Sequence, residues 1–278
     1  MIKNNFILRT LTGILFVALI TGGILWNHIS FLLLFIAISV LSVWEFARIM
    51  IKAGKCQAMH RTSATGAALL FLSFTMYSVT YMPVAFSVYT LFLLYVMIAE
   101  LYRKSGKAIE NIALFFMGQV YVALPFALLN MSVIGESTNG TFAYDGTIPL
   151  MIFIFLWLND TGAYCIGTLF GKHRLFERIS PKKSWEGFFG GAAFAITGGY
   201  VSSLFIDSFN TAQLIGMSVT VVAAGTLGDL FESMLKREIG IKDSGEIIPG
   251  HGGMLDRFDS AMFAIPAVII YLYSTNMF

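Results

Sequence analysis

The sequence predicts an all-α integral membrane protein with about nine transmembrane helices, and three observations support that class. Of the 278 residues, 57% are hydrophobic and only 12% are charged, whereas a soluble domain carries charges on about a quarter of its residues. The apolar residues form runs of roughly 20, which is the length that crosses the hydrocarbon core of a bilayer. The basic residues are confined to every second loop between these runs. We therefore expect a single polytopic membrane domain over residues 1–278.

The predicted spans follow one another with mostly short loops. They cover approximately residues 8–26, 29–46, 64–81, 84–100, 111–133, 148–170, 185–206, 212–231 and 259–277. The first span follows Lys3 and Arg9 and resembles a signal peptide, but no Ala-x-Ala cleavage site follows it, so we expect an uncleaved helix. Pro125 lies inside the fifth span and is expected to kink it, because proline removes a backbone hydrogen bond.

The distribution of basic residues predicts the orientation. All 18 lysines and arginines precede the first span or follow the second, fourth, sixth and eighth spans. The positive-inside rule then places the N-terminus in the cytoplasm and the C-terminus outside. The predicted cytoplasmic segments are 47–62, 101–110, 171–184 and 232–258. The net charge of +2 gives no reason to expect a nucleic-acid partner, and Cys56 and Cys165 are expected to be unpaired thiols.

Residues 1–133 are interpreted as a helical scaffold, because their spans carry few ionisable groups. Glu45 and Glu100 lie near span ends there and are interpreted as interfacial carboxylates beside basic loops. Polar clusters occur instead in residues 148–278, which are interpreted as the catalytic half. The first cluster is Asn159-Asp160-Thr161 inside the sixth span. An aspartate within an apolar helix is by default a functional candidate, the alternative being a carboxylate paired with a neighbouring helix.

The second cluster, residues 180–187, contains Lys182, Lys183 and Ser184 at the start of a helix. Lysines beside hydroxyls and free backbone N–H groups suit a polyanion, although the same lysines could serve only to fix topology.

The third cluster extends through residues 228–237, 242–243 and 249–259. On a continuous helix Asp229, Glu232, Ser233, Lys236 and Arg237 share one face. Carboxylates, basic side chains and glycines together favour phosphoryl chemistry, in which acids hold a divalent cation and bases hold phosphate oxygens. Mutual neutralisation of these charges is the alternative.

The clusters resemble the signature of a known family, the phosphatidate cytidylyltransferases or CDP-diacylglycerol synthases. The matching residues are Asp160, Tyr164, Gly171, residues 180–187, Ser233, Leu235, Lys236, Arg237, Lys242, Asp243, Gly245, Ile248, Pro249, His251, Gly252, Gly253, Asp256, Arg257 and Asp259. Ser184 stands where threonine is more frequent and keeps the hydroxyl. The resemblance covers roughly residues 159–259 and is specific because the pattern is long and mixed in residue type.

The resemblance implies that CTP and phosphatidate react to give CDP-diacylglycerol and pyrophosphate, for phospholipid biosynthesis. It also implies Mg²⁺, alone or with a second metal ion at the same site, and a homodimer. We expect a bacterial inner membrane, and the positive-inside rule places the active site on its cytoplasmic face. Asp229 and Asp256 are predicted metal ligands. Predicted catalytic residues are Asp160, Lys236, Arg237, Asp256 and Asp259. Predicted substrate-binding residues are Lys182, Lys183, Ser184, Ser233, Lys242, His251, Gly252, Gly253 and Arg257.

Two other functions use similar residues. A CTP-dependent lipid or polyprenol kinase would transfer the γ-phosphate and release CDP. An ion-coupled transporter would use Asp160 and Asp229 as intramembrane ion sites, but the polar residues gather on one side only. For the cytidylyltransferase we expect a polar funnel that opens to the cytosol for CTP and sideways to the bilayer for the lipid. Residues 249–253 are expected to close over the triphosphate.

Overall fold

The computed structural model describes residues 2–57, 59–104, 106–136, 142–245 and 252–275. It is 79% helical, as the all-α prediction requires. The chain forms two compact units. The first consists of Met1–Gly146 and Asp243–Arg257, and the second of Thr147–Lys242 and Phe258–Phe278. The first unit therefore contains the predicted scaffold together with a segment of the third polar cluster.

The first unit is built from helices joined by short turns. Its elements are α1 (Ile2–Leu25), α2 (His28–Lys52), α3 (His60–Thr80), a 3₁₀ turn (Pro83–Phe86), α4 (Ser87–Tyr102), α5 (Ala108–Met117), a π-helical segment (Gly118–Ala123), α6 (Leu124–Leu128) and a second 3₁₀ turn (Leu129–Ser132). Asn27 and Ser30 form a reciprocal capping box at the start of α2, which satisfies backbone N–H groups that have no partner within the helix. Buried phenylalanines of several helices, including Phe31, Phe46 and Phe71, fill the interior.

The fifth predicted span departs from regular α-helix just before its proline. The π-helical segment Gly118–Ala123 immediately precedes Leu124 and Pro125. Proline lacks a backbone N–H, and its ring crowds the carbonyl four residues earlier, which here belongs to Tyr121. A wider turn relieves that crowding, so the predicted disturbance takes the form of a π-helical insertion.

The second unit contains the remaining long helices. Its elements are α7 (Thr147–Phe170), β3 (Arg174–Phe176), β4 (Ser180–Ser184), α8 (Trp185–Ser202), α9 (Thr211–Glu238) and most of α10 (Leu255–Ser274), within which the unit boundary falls. β3 and β4 form an antiparallel hairpin, and β1 (Ile134–Glu136) and β2 (Phe142–Tyr144) form another in the first unit. Neither hairpin was predicted from the sequence. Each pairs backbone groups of a loop that would otherwise depend on water.

Six helical segments in the described part of the chain are long and apolar enough to cross a membrane. They are His28–Lys52, His60–Thr80, Pro83–Tyr102, Ala108–Ser132, Thr147–Phe170 and Thr211–Glu238, which correspond to the second to sixth and the eighth predicted spans. Helices also occupy the other three predicted positions, but the apolar part of α1 is short, α8 contains Glu186 and many glycines, and α10 begins with charged residues. The multi-pass membrane class is thus supported, while the number nine and the positions of the termini stay predictions.

Candidate active site

Helices α7 and α8 of the second unit approach each other through glycines. A Cβ atom added at Gly162 would lie 2.8 Å from the carbonyl oxygen of Gly190, and one added at Gly187 would lie 3.0 Å from that of Ala163. Small residues at such positions let two membrane helices pack backbone against backbone. The close pair fixes both ends of residues 171–184, the segment that carries the second polar cluster.

The first polar cluster faces two directions on α7. Asn159 is buried, and a Cβ atom added at Gly191 of α8 would lie 2.5 Å from its Oδ1 atom. Asp160, the next residue, is exposed and lies within electrostatic range of Asp259. Successive residues of a helix differ by about 100° in direction. Asn159 therefore belongs to the α7–α8 contact, whereas Asp160 belongs with the acidic residues described below.

Ser184 caps α8. Its Oγ atom accepts a hydrogen bond of 3.1 Å from the backbone N–H of Gly187, and its side chain is buried. Serine at this position satisfies one of the N–H groups that begin a helix without a partner. The Ser184 hydroxyl, which is a predicted substrate ligand, thus stabilises the first turn of α8.

Glu186 holds the loop before α8 in place. Its carboxylate accepts hydrogen bonds of 3.2 Å from the backbone N–H groups of Lys172 and His173, and it contacts Nδ1 of the His173 ring at 2.6 Å. These three contacts from Glu186, in the first turn of α8, hold the residues directly before β3 close to the end of β4. Lys182 and Lys183 lie on β4 of this hairpin, and Lys182 is exposed.

Lys183 joins the second and third polar clusters. Its Nζ atom lies 2.5 Å from Oδ2 of Asp229 on α9, and both side chains are about one-third exposed or less. Oδ1 of the same aspartate accepts a hydrogen bond of 3.2 Å from the Ser233 hydroxyl one turn further along α9. The expectation that topology brings these clusters to one place is therefore confirmed for Lys183 and Asp229.

The last turns of α9 carry a second acid–base pair. Nζ of Lys236 lies 2.6 Å from Oε2 of Glu232, whose side chain is buried. With 28 residues, α9 is about 42 Å long, whereas the hydrocarbon core of a bilayer is about 30 Å thick. The helix thus continues beyond the length of a membrane span, as the shared polar face required. Arg237 on the following position is exposed.

Asp259 brings a further carboxylate to this group from α10. It is partly exposed, accepts a hydrogen bond from the N–H of Ser260 at 2.6 Å, and lies within electrostatic range of Asp229, Glu232 and Asp160. A glycine, Gly228, makes the approach possible, because a Cβ atom added there would lie 2.6 Å from the carbonyl oxygen of Asp259. Asp259 thus adds a carboxylate beside the two acid–base pairs of α9, and a cation would stabilise the excess negative charge.

Asp256 lies in the first unit, in the first turn of α10. Its Oδ2 atom accepts hydrogen bonds from the backbone N–H groups of Ser244 at 2.9 Å and Gly253 at 3.0 Å. Gly252 has a φ of +86°, a conformation that side chains rarely adopt. Residues 245–254, which belong to the family signature, are called the signature segment below. The predicted metal ligand Asp256 thus holds together the two described ends of this segment.

Glu45 also contacts the two ends of this segment. Its part in the site was not predicted from the sequence. It is only 3% exposed, and its Oε2 atom accepts hydrogen bonds of 2.8 Å from the N–H of Leu255 and 3.1 Å from the Ser244 hydroxyl. The interpretation of Glu45 as an interfacial carboxylate beside a basic loop is therefore wrong. The available signal was an ionisable residue in an apolar span, the same argument that singled out Asp160.

The remaining predicted site residues are distributed between the units. Lys242 of the second unit and Arg257 of the first are exposed. Gly252 and Gly253 belong to the first unit, and His251 lies outside the described residues, as does most of the predicted closing segment 249–253. Within the part of the chain that the structure describes, no group of three or more histidine, cysteine, aspartate and glutamate side chains is arranged to hold a metal ion.

Comparison with known proteins adds to this geometry. The phosphatidate cytidylyltransferase of Staphylococcus epidermidis is 50% identical over 127 residues, 45% of this chain and 49% of that protein. That of Staphylococcus saprophyticus is 50% identical over 125 residues, and that of Staphylococcus aureus 48% over 124, each match covering 44% of this chain and 48% of the relative. The chain spans about half the length of the curated relatives that it matches.

The family comparison reaches much further along the chain. The match to the cytidylyltransferase family extends over residues 7–275. It therefore includes helices of both units as well as all three polar clusters. On the basis of this match, the chain belongs to the cytidylyltransferase family.

Proposed function

We propose that the protein is a phosphatidate cytidylyltransferase, which transfers CMP from CTP to phosphatidate and releases CDP-diacylglycerol and pyrophosphate. The observation that carries this proposal is the acid–base group at the end of α9. Lys183 pairs with Asp229, and Lys236 pairs with Glu232, in a chain that belongs to the cytidylyltransferase family. The names of the staphylococcal relatives supply the lipid acceptor.

The reaction requires two anions to meet. A phosphate oxygen of phosphatidate forms a bond to the α-phosphorus of CTP, while the bond from that phosphorus to the bridging oxygen breaks and pyrophosphate leaves. A phosphate monoester is already a competent nucleophile, so no additional nucleophilic side chain is needed. The protein's task is to cancel repulsion and hold the reactants in line. Lys182, Lys183, Lys236, Arg237 and Arg257 supply positive charge for the phosphate oxygens.

The acidic residues fit a divalent cation shared with the substrate. Mg²⁺ in nucleotide sites is usually bound by one or two carboxylates together with substrate phosphates and water. Such a site needs no preformed set of three protein ligands. Asp229 and Asp256 remain the predicted ligands of the ion, and Asp160 and Asp259 remain predicted catalytic residues. When bound, Mg²⁺ supplies positive charge that stabilises the phosphates and the leaving group.

The position of the site relative to the membrane forms part of the proposal. The segregation of all 18 basic residues supports a cytoplasmic active site, and the relatives come from bacteria, which supports a bacterial membrane. We propose the inner membrane as its location. The polar funnel is proposed between spans of the second unit, because α7, α9 and α10 carry Asp160, Asp229 and Asp259, and β4 before α8 carries Lys183. Assembly as a homodimer follows the family resemblance.

Product analysis tests this function. The purified protein in lipid nanodiscs, supplied with Mg²⁺, phosphatidate and CTP labelled at the α-phosphate, should transfer the label to lipid and release pyrophosphate. Asp229→Asn provides the matched inactive control, because an amide binds Mg²⁺ poorly. Label appearing in CDP instead of in lipid would identify a kinase. An absence of CTP turnover with any lipid acceptor would reject the enzyme and favour the transporter.

A further inference from the structure

Glu45 is buried in α2, about 200 residues before the signature that it contacts. Its Oε2 atom accepts hydrogen bonds from the Ser244 hydroxyl and from the N–H of Leu255. These two donors stand on either side of the signature segment 245–254. One carboxylate oxygen of the scaffold therefore joins both ends of that segment within the first unit.

The same two ends are joined a second time by Asp256. Its Oδ2 atom accepts the backbone N–H groups of Ser244 and Gly253. Ser244 thus gives its hydroxyl to one acid and its N–H to the other. Glu45 also bonds the N–H of Leu255, the residue directly before Asp256. A shift of Glu45 would move the groups that hold Asp256, although no hydrogen bond joins the two acids directly.

Glycines make room for the Glu45 carboxylate. A Cβ atom added at Gly253 would lie 2.6 Å from Oε2 and 2.7 Å from Oε1 of Glu45, and one added at Gly245 would overlap Oε1. Close approach of backbone to a polar group is a common reason for glycine. Both described ends of the segment therefore leave room for this carboxylate.

We propose that Glu45 is a positioning residue for cytidylyl transfer, which orients Asp256 by fixing the ends of the signature segment. This inference rests on the proposed function, since Asp256 is there a predicted metal ligand. It gives the N-terminal scaffold a specific part in the reaction. It also explains why an ionisable group is retained in an apolar span, where its burial is costly.

Glu100 provides a matched control. It is likewise a buried glutamate of the first unit near the end of a predicted span. Its partners are the Asn111 amide at 3.0 Å and the Arg103 side chain at 3.2 Å. Glu100→Gln therefore removes a buried carboxylate without a change at the signature segment, so it measures the general effect of losing such a charge.

Two measurements test the role of Glu45. Glu45→Ala should lower kcat about 10- to 100-fold, the usual effect of a small misplacement of catalytic groups, while the KM for CTP changes less than about twofold. Glu45→Gln keeps a carbonyl oxygen that can accept both bonds, so it should retain most of the activity. Hydrogen exchange at the amides of Ser244 and Gly253, which bond Asp256, should be faster in Glu45→Ala than in wild type. Glu100→Gln should change neither kcat nor this exchange.

Wild-type kcat and wild-type amide protection in Glu45→Ala would overturn the proposal, as would equal losses in Glu45→Ala and Glu100→Gln. If Glu45→Ala does not fold, Ser244→Ala removes one bond to Glu45 and leaves the charge in place. It should lower kcat in the same direction by a smaller factor, and unchanged kcat and exchange in this variant would also refute the role. A wild-type protein that forms no CDP-lipid would reject the proposed function instead, and the exchange measurement would still test the hold of Glu45 on the segment.

Discussion

A single methyl group at Gly228 should separate α9, which carries Asp229 and Glu232, from α10, which carries Asp259. In a Gly228→Ala variant the new Cβ atom would lie 2.6 Å from the carbonyl oxygen of Asp259, 3.2 Å from Cβ of Phe263 and 3.3 Å from Cα of Ser260. Ordinary van der Waals contact begins at 3.4 Å, so the carbonyl is too close by about 0.8 Å. Backbone atoms of a helix have no rotamer with which to move aside. The helices themselves must therefore separate.

The separation of α9 and α10 should lower both the stability and the activity of the protein. Overpacking of a tight contact costs about 1–3 kcal/mol, which lowers the free energy of unfolding without preventing folding. A shift of about 1 Å between catalytic groups can cost about 100-fold in rate. Asp229 directly follows Gly228, and Asp259 carries the carbonyl oxygen that the added Cβ atom would approach. We therefore expect kcat to fall about 10- to 100-fold in Gly228→Ala.

Gly225→Ala is the matched control, because it adds the same methyl group less than one turn earlier on α9. There the new Cβ atom would lie 2.9 Å from Cδ2 of Leu156, the flexible end of a side chain, and 3.5 Å from Ser260. Leu156 can change rotamer, so activity should stay within about threefold of wild type. The assay is CDP-lipid formation in nanodiscs, with thermal unfolding measured on the same samples. A Gly228→Ala variant with the kcat of Gly225→Ala would refute the reasoning.

Three further predictions concern the second cluster and the orientation. Lys183→Gln should raise the KM for CTP or lipid, or lower kcat. Its thermal stability should change little, because partly exposed ion pairs contribute less than about 1 kcal/mol. Unchanged kinetics would mean that Lys183 serves only to fix the topology. Ser184→Ala should lower the free energy of unfolding by about 1 kcal/mol through loss of the helix cap, and a raised KM for CTP would show a second role in substrate binding. A cysteine introduced at Asn139 should react with impermeant maleimide only from outside, and labelling only from the cytoplasm would overturn the predicted orientation. Cys56 should add little background in that experiment, because burial raises the pKa of its thiol.

Features that depend on local sequence were predictable. The positions of the long apolar helices follow from composition and length, and the common face of Asp229, Ser233 and Lys236 follows from helical spacing. The contact of Lys183 with Asp229 was expected in outline, because both lie at ends of spans on the same predicted side. The cap formed by Ser184 was also within reach, since a serine directly before a helical run is a common N-cap.

Features that depend on distant pairing were not predictable. Glu45 bonds Ser244 and Leu255 only because the fold brings α2 to the signature segment, and no pattern in either sequence encodes that approach. The roles of Asp256 and Asp259 likewise differ although they are three residues apart on one helix. Asp256 accepts backbone N–H groups of its own segment, whereas Asp259 meets the acidic residues of α9. The spacing of residues predicts which face of a helix they occupy, whereas the residues that they contact depend on the tertiary structure.

The length of α9 links the enzyme to the thickness of its membrane. Asp229 lies 18 residues after Thr211, which is about 27 Å along the helix axis, and the capping box of Asn210 and Gln213 marks the opposite end as polar. Because an average hydrocarbon core is about 30 Å thick, this length places Asp229 near the boundary with the headgroups. A thicker bilayer would draw it deeper unless the helix tilted less or the lipids thinned around it. Acyl-chain length would then govern turnover by hydrophobic mismatch. Under the proposed function, CDP-diacylglycerol synthesis would in this way depend on the bilayer that its own product helps to build.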